Sequence, residues 1–187
     1  MRVGLAGRIP RIILVVSNMP EPEFWLRGRV AGVPPLLQPV AHSLLQARED
    51  VAAMLAGLTP AQLWARPGGA ASVGFHVRHL GGARERLFTY ARGESLTPPQ
   101  LDASKHEGEP GDPPATAAAL LRGLDAAIDR ALDQIRGTSP ESLLEARAVG
   151  RRALPSNVLG LMFHAAEHAT RHAGQAITTA KIVTGQD

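Results

Sequence analysis

Apolar residues recur at intervals of three and four along most of the chain, the period of a helix with one buried face. Gly32, Pro34 and Pro35 open the first such pattern. It runs to about Leu58 through Leu37, Val40, Ala41, Leu44, Val51 and Leu55, with Pro39 in its first turn, where a missing N–H costs little. Thr59-Pro60-Ala61-Gln62 reads as a helix start with Thr as cap, Pro at the first helical position and Gln completing a capping box. A short helix around Trp64 and a Pro67-Gly68-Gly69 loop follow. Ser72 caps a second long pattern, about 72–93, ended by Gly93. Residues 94–113 are rich in Pro, Gly and charge and read as a long connection. Asp112 and Pro113 are expected to start the third helix, which runs to about Gly137. Ser139-Pro140-Glu141-Ser142 starts another short helix, 147–152 reads as loop, and Leu154-Pro155-Ser156 opens a last helix to about Val183.

The segments Gly57–Leu63 and Gly137–Leu143 resemble each other. Each follows a long Leu/Ala helix and precedes a helix containing Phe-His. The pattern predicts an all-α, pseudo-symmetric four-helix bundle. The connection 94–113 is long enough to cross the bundle, so the second and third long helices can run parallel. The domain is expected to occupy 32–187, with 1–31 an extension in which Phe24, Trp25 and Leu26 strap onto it. Residues 1–18 pair arginines with an apolar run too short and broken for a signal peptide, and Met19 is an alternative start.

Composition narrows the chemistry. The 187 residues hold 20 Lys+Arg and 17 Asp+Glu, and the net charge of +3 falls entirely within residues 1–31. The neutral remainder lacks the clustered basic face that nucleic acid requires. Aromatic residues are only 4% of the chain, so Ala and Leu fill the core, which favours close-packed helices over a sandwich. With no cysteine there is no disulfide, thiolate metal site or cysteine nucleophile, and a reducing, cytoplasmic setting fits. No apolar run reaches the roughly 18–20 residues that span a bilayer.

Five of the seven histidines fall in two stretches. His164, His168 and His172 form a row of spacing four on the last helix, and His76 and His79 lie three apart on the second. Two imidazoles at i and i+4 can share one ion. The outer members of the row are about 12 Å apart at roughly 1.5 Å rise per residue, so a third ligand should come from the other helix. Spacing alone does not separate His76 from His79. Gly81 and Gly82 suggest close backbone approach of a neighbouring helix beside the site. His42 fits a core or groove wall, and His106 a loop.

The run His164-x-x-x-His168-x-x-x-His172-Ala173-Gly174-Gln175, with His79-Leu80-Gly81 before it, resembles the DinB-like family of metal-binding four-helix bundles over about residues 33–183. The resemblance implies a divalent ion, zinc or nickel, held by His79, His168 and His172. His76 and His164 then support the site or line its pocket. Gln175 is expected to hydrogen-bond a ligand ring, and Arg171 to meet a substrate carboxylate or solvent. Glu167 is placed as an orienting group or base, or in a surface ion pair. The superfamily includes S-transferases using bacillithiol, mycothiol or glutathione and a maleylpyruvate isomerase. The function implied is metal-assisted activation of a low-molecular-weight thiol toward a small-molecule electrophile. A metal-dependent hydrolase and a non-catalytic, stress-response metal-binding bundle are the alternatives. A homodimer is also expected; nucleic-acid and membrane partners are not.

Overall fold

The computed structural model describes residues 21–185. The reading of residues 1–18 lies outside them. Four long helices form the body: α1 (Gln38–Leu55), α3 (Val73–Ala91), α5 (Ala117–Arg136) and α6 (Val158–Thr184). Two short helices, α2 (Pro60–Trp64) and α4 (Pro98–Lys105), sit in the connections. Side-chain caps set most starts. The Thr59, Ser72, Thr97, Thr116 and Asn157 side chains each accept a backbone N–H from the first turn of α2, α3, α4, α5 and α6. The residues matching the helical stripes, among them Leu37, Leu44, Val51, Leu80, Ile128, Ile135 and Met162, form one buried core.

Cross-helix contacts fix the directions. His76 meets His172 and His79 meets His168, so α3 and α6 are antiparallel. Glu85 pairs with Arg130, and the Phe88 carbonyl accepts from Gln134, so α3 and α5 advance together. The connection after α3 therefore crosses the bundle, as its length suggests. The α3–α6 contact is the most extensive of the fold. Along α6, three or four residues from His168 or His172, lie the buried small residues Ala165, Ala169 and Ala176, whereas Ala166 and Ala180 border α1. Small side chains bring the two backbones close and set the distance at which the histidines meet.

Three boundaries differ from the sequence expectation. The stretch after Gly93 contains α4, whose Thr97–Gln100 capping box repeats the Thr59–Gln62 box of α2. Gln100 also donates to the buried Thr89 hydroxyl at 2.8 Å, which docks α4 on α3. The third long helix begins at Ala117 with Thr116 as cap, and Asp112-Pro113 lies in the preceding turn. The segment read as loop and helix start is a two-stranded antiparallel hairpin, β1 (Ala146–Val149) and β2 (Leu154–Asn157), in which Arg147 faces Ser156. Leu154-Pro155-Ser156 is extended because pairing with β1 claims it, and α6 begins only after the Asn157 cap. The 139–145 region is a 3-10 turn, Pro140–Leu144.

Before α1, Phe24 packs against the core, its backbone N–H donates to Gln46, and Arg27 lies over its ring. Trp25 and Leu26 remain exposed, so Phe24 alone of the three is an anchor. No described helix is long and apolar enough to cross a membrane.

Gly74 is fixed by close approach. A Cβ there would sit 2.6–2.8 Å from ring carbons of Trp64, whose indole N–H donates to the Ala115 carbonyl at 2.9 Å. Gly74→Ala should therefore displace Trp64 and destabilise the fold by about 1–3 kcal/mol, as overpacking does. Equilibrium urea unfolding measures this, and an unchanged midpoint would show that Trp64 is free to move.

Candidate metal centre

The antiparallel α3–α6 pair brings imidazoles from both helices together. One nitrogen each from His79, His168 and His172 lies within 4.8 Å of the other two. Ring centroids are 5.0 Å apart for His79–His168, 4.6 Å for His79–His172 and 4.5 Å for His168–His172. Metal–nitrogen bonds of about 2.0–2.1 Å place tetrahedral donors roughly 3.4 Å apart. Small side-chain rotations close the difference, and none of the three rings is fully buried. The donors are three imidazoles with no carboxylate among them. That set could hold a divalent ion and leave a coordination position open.

A surrounding set of groups orients these rings. His79 Nδ1 lies 2.6 Å from Oε2 of Glu107, and Arg86 donates to the other Glu107 oxygen at 2.7 Å. Glu107 is buried, and it reaches the site from the connection between α4 and α5. Sequence reading missed it, since a lone Glu in a polar loop carries no periodic signal. Gly82 is the trace it left: a Cβ there would collide with Glu107 Oε1. The glycine pair thus admits no neighbouring helix. Gly82 makes room for a carboxylate, and Gly81 faces open space. Arg78 holds the same connection through the carbonyls of His106, Glu109 and Pro110, and its guanidinium stacks on Trp64.

His76 is buried, with Nδ1 3.0 Å from Nδ1 of His172, so one ring donates to the other. Phe75 stacks on His79 at 5.2 Å between centroids and an interplanar angle of 15°. Each of His79 and His172 thus has Nδ1 engaged and Nε2 left over. The carboxylate–imidazole pair is the arrangement that fixes tautomer and ring orientation in metal sites.

Electrostatics favours neutral rings. Burial, reinforced by the neighbouring His79, His168 and His76, pushes His172 down to about 4. Burial first and His79 second lower His168 and His76. At neutral pH these three rings therefore keep a lone pair free. Burial works to raise the Glu107 carboxyl, but hydrogen bonds from His79 and Arg86 outweigh it and hold it below the usual range.

The other residues singled out by sequence lie around this cluster. His164 stands beside His168, 5.7 Å between centroids, and is half-exposed, with Nδ1 3.4 Å from Glu167. Glu167 is in the surface ion pair with Arg171, whose hydrogen bond lowers its pKa. Gln175 is exposed and makes no side-chain hydrogen bond among the described residues, so it does not orient a ligand ring; Glu107 and His76 stand where it was expected. His42 bonds the Gly28 carbonyl, and His106 follows α4 in the loop.

Residues 43–176 match the family model described as the DinB superfamily. The match spans most of the chain and includes both histidine-bearing stretches, so the chain belongs to that superfamily. No curated protein matches the chain.

The depressed histidines give a signed pH effect. His172 is neutral in the fold below its ordinary 6.5, so its contribution to stability is full above 6.5 and is lost as pH falls toward about 4. Metal-free protein should show a denaturation midpoint that falls across this window, and His172→Asn should flatten the fall. Equal slopes in both proteins would mean that the ring is not held neutral.

Proposed function

We propose that this member of the DinB superfamily is a divalent-metal enzyme that ionises a low-molecular-weight thiol at His79, His168 and His172 and transfers its sulfur to a small electrophile. The observation that carries the reading is the donor set: three imidazoles within 4.8 Å of one another and no carboxylate among them. When bound there, zinc or nickel supplies an uncompensated positive charge that favours the ionised form of a thiol.

The chain's own residues do the rest. Glu107 accepts a hydrogen bond from His79 Nδ1–H, which leaves Nε2 as the atom free to ligate on that ring. His172 likewise donates from Nδ1 to His76, which commits His76 to the tautomer with its proton on Nε2. Phe75 restricts rotation of the His79 ring and covers it on one side. His164, exposed beside His168, takes the thiol proton and passes it to solvent, with the Glu167 carboxylate 3.4 Å from its Nδ1 to stabilise the protonated ring. The sulfur lone pair then forms a bond to the electrophilic carbon, and the leaving group departs with the electron pair of the broken bond.

Protein purified without a histidine tag and loaded with metal should consume glutathione, bacillithiol or mycothiol against an activated aryl halide. Chelation should stop the reaction. His168→Ala should lose both the metal and the metal-dependent rise in melting temperature, whereas Glu167→Ala should keep both. Retained metal with no turnover of any thiol would instead mark a non-catalytic metal-binding protein, and turnover without thiol a hydrolase. Glu107→Gln should weaken metal affinity by about 10–100-fold, because the His79 ring loses its charged acceptor. Competition with a chromogenic chelator reads that affinity, and wild-type affinity in Glu107→Gln would remove Glu107 from the site.

A further inference from the structure

A second site lies on the other side of α3. Arg84 follows His79 by five residues, a rotation of roughly 140° at 3.6 residues per turn, and so faces α5 where His79 faces α6. It is only 1% exposed. Its Nη2 donates to the Gly81 carbonyl at 3.3 Å, while Nη1 is buried without a hydrogen-bond partner among the described residues. Burial lowers its pKa to about 10, which leaves the guanidinium charged at neutral pH. A buried charged donor left unpaired is costly, because it has given up its water and gained no acceptor.

Arg84 lines a cavity of about 280 Å³ between α3 and α5. Phe88, Ala127 and Ala131 give it apolar walls. The other cations at its edge are already matched: Arg92 pairs with Glu94 at 2.7 Å, and Arg130 with Glu85 at 3.4 Å. One positive charge, that of Arg84, is left over beside an apolar space. Arg130 is the movable part of the rim, since its side chain is 59% exposed and its ion pair is long.

We propose that this cavity binds a small organic monocarboxylate, with the carboxylate on Arg84 Nη1 and the apolar body against Phe88, Ala127 and Ala131. A single residual charge matches a monoanion, and the walls match a hydrocarbon or aryl group. Arg130 swings aside to admit it. Inorganic phosphate, doubly charged and without an apolar body, fits neither feature.

Benzoate is the probe, and chemical-shift changes of the α3 and α5 amides are the readout, with the full-length chain. Millimolar benzoate should give saturable shifts around Arg84, Phe88 and Ala131, and phosphate at the same concentration should not. Arg84→Met, which keeps the side-chain length and removes the charge, should weaken benzoate at least about thirtyfold, the lower end expected for losing one partner of a buried charged pair. Ala131→Leu leaves Arg84 intact and fills the cavity, so it should also abolish the shifts; it decides the question should Arg84→Met not fold. His168→Ala should bind benzoate as wild type does, which separates this site from the histidine cluster. No saturable response, an equal response to phosphate, undiminished binding in either cavity variant, or loss of binding in His168→Ala would each overturn the proposal.

Discussion

The close contact of α3 with the alanine stripe of α6 is the constraint on which the rest of the site depends. Imidazole is short, and a metal ion requires its donors within a few ångströms of one another. Three rings from two helices meet that requirement only if the backbones approach closely. Buried Ala165, Ala169 and Ala176 allow that approach, each three or four residues from His168 or His172 on the same helix. A leucine in place of any of them would push α3 away and widen the cluster. The antiparallel direction matters equally, because it sets His79 against the gap between His168 and His172 and leaves His76 against His172 alone.

The crossing segment supplies the second constraint. A bundle with tight turns throughout could not place α3 and α5 parallel, nor bring Glu107 over α3. The segment is tied at several points: Gln100 to Thr89, Arg78 to three carbonyls, and Glu107 to Arg86 and His79. Connection and site therefore share one hydrogen-bond network. Charge balance in that network also accounts for a buried carboxylate that stays ionised.

Helix α3 presents two chemistries on two faces. Toward α6 it presents His76, whose pKa burial lowers, against His172 of α6, lowered by burial in the same way. Toward α5 it offers a guanidinium too basic for burial to neutralise at physiological pH. The same desolvation acts on both. It frees lone pairs on histidine, whose ordinary pKa is near neutrality, and strands a charge on arginine, whose ordinary pKa is far above it.

The helical repeat, the caps at Thr59 and Ser72, and the histidine spacing of four are local properties, so the four long helices, the all-α class and the two histidine-bearing helices could be read from the chain alone. The capping box at Thr97 was equally local, but two prolines and a polar surround hid α4. What the chain could not specify depends on segments meeting across the fold. The hairpin at 146–157 exists because two weak strands pair with each other. The grouping of His79, and not His76, with the α6 pair follows from the helix crossing, and both are compatible with a spacing of three. Glu107 and Gly82 lie 25 residues apart and acquire meaning only where the carboxylate occupies the space above the glycine. Burial, which lowers the pKa of His76, His168 and His172 and leaves Arg84 Nη1 without a partner among the described residues, is a property of the packed bundle and of no single segment.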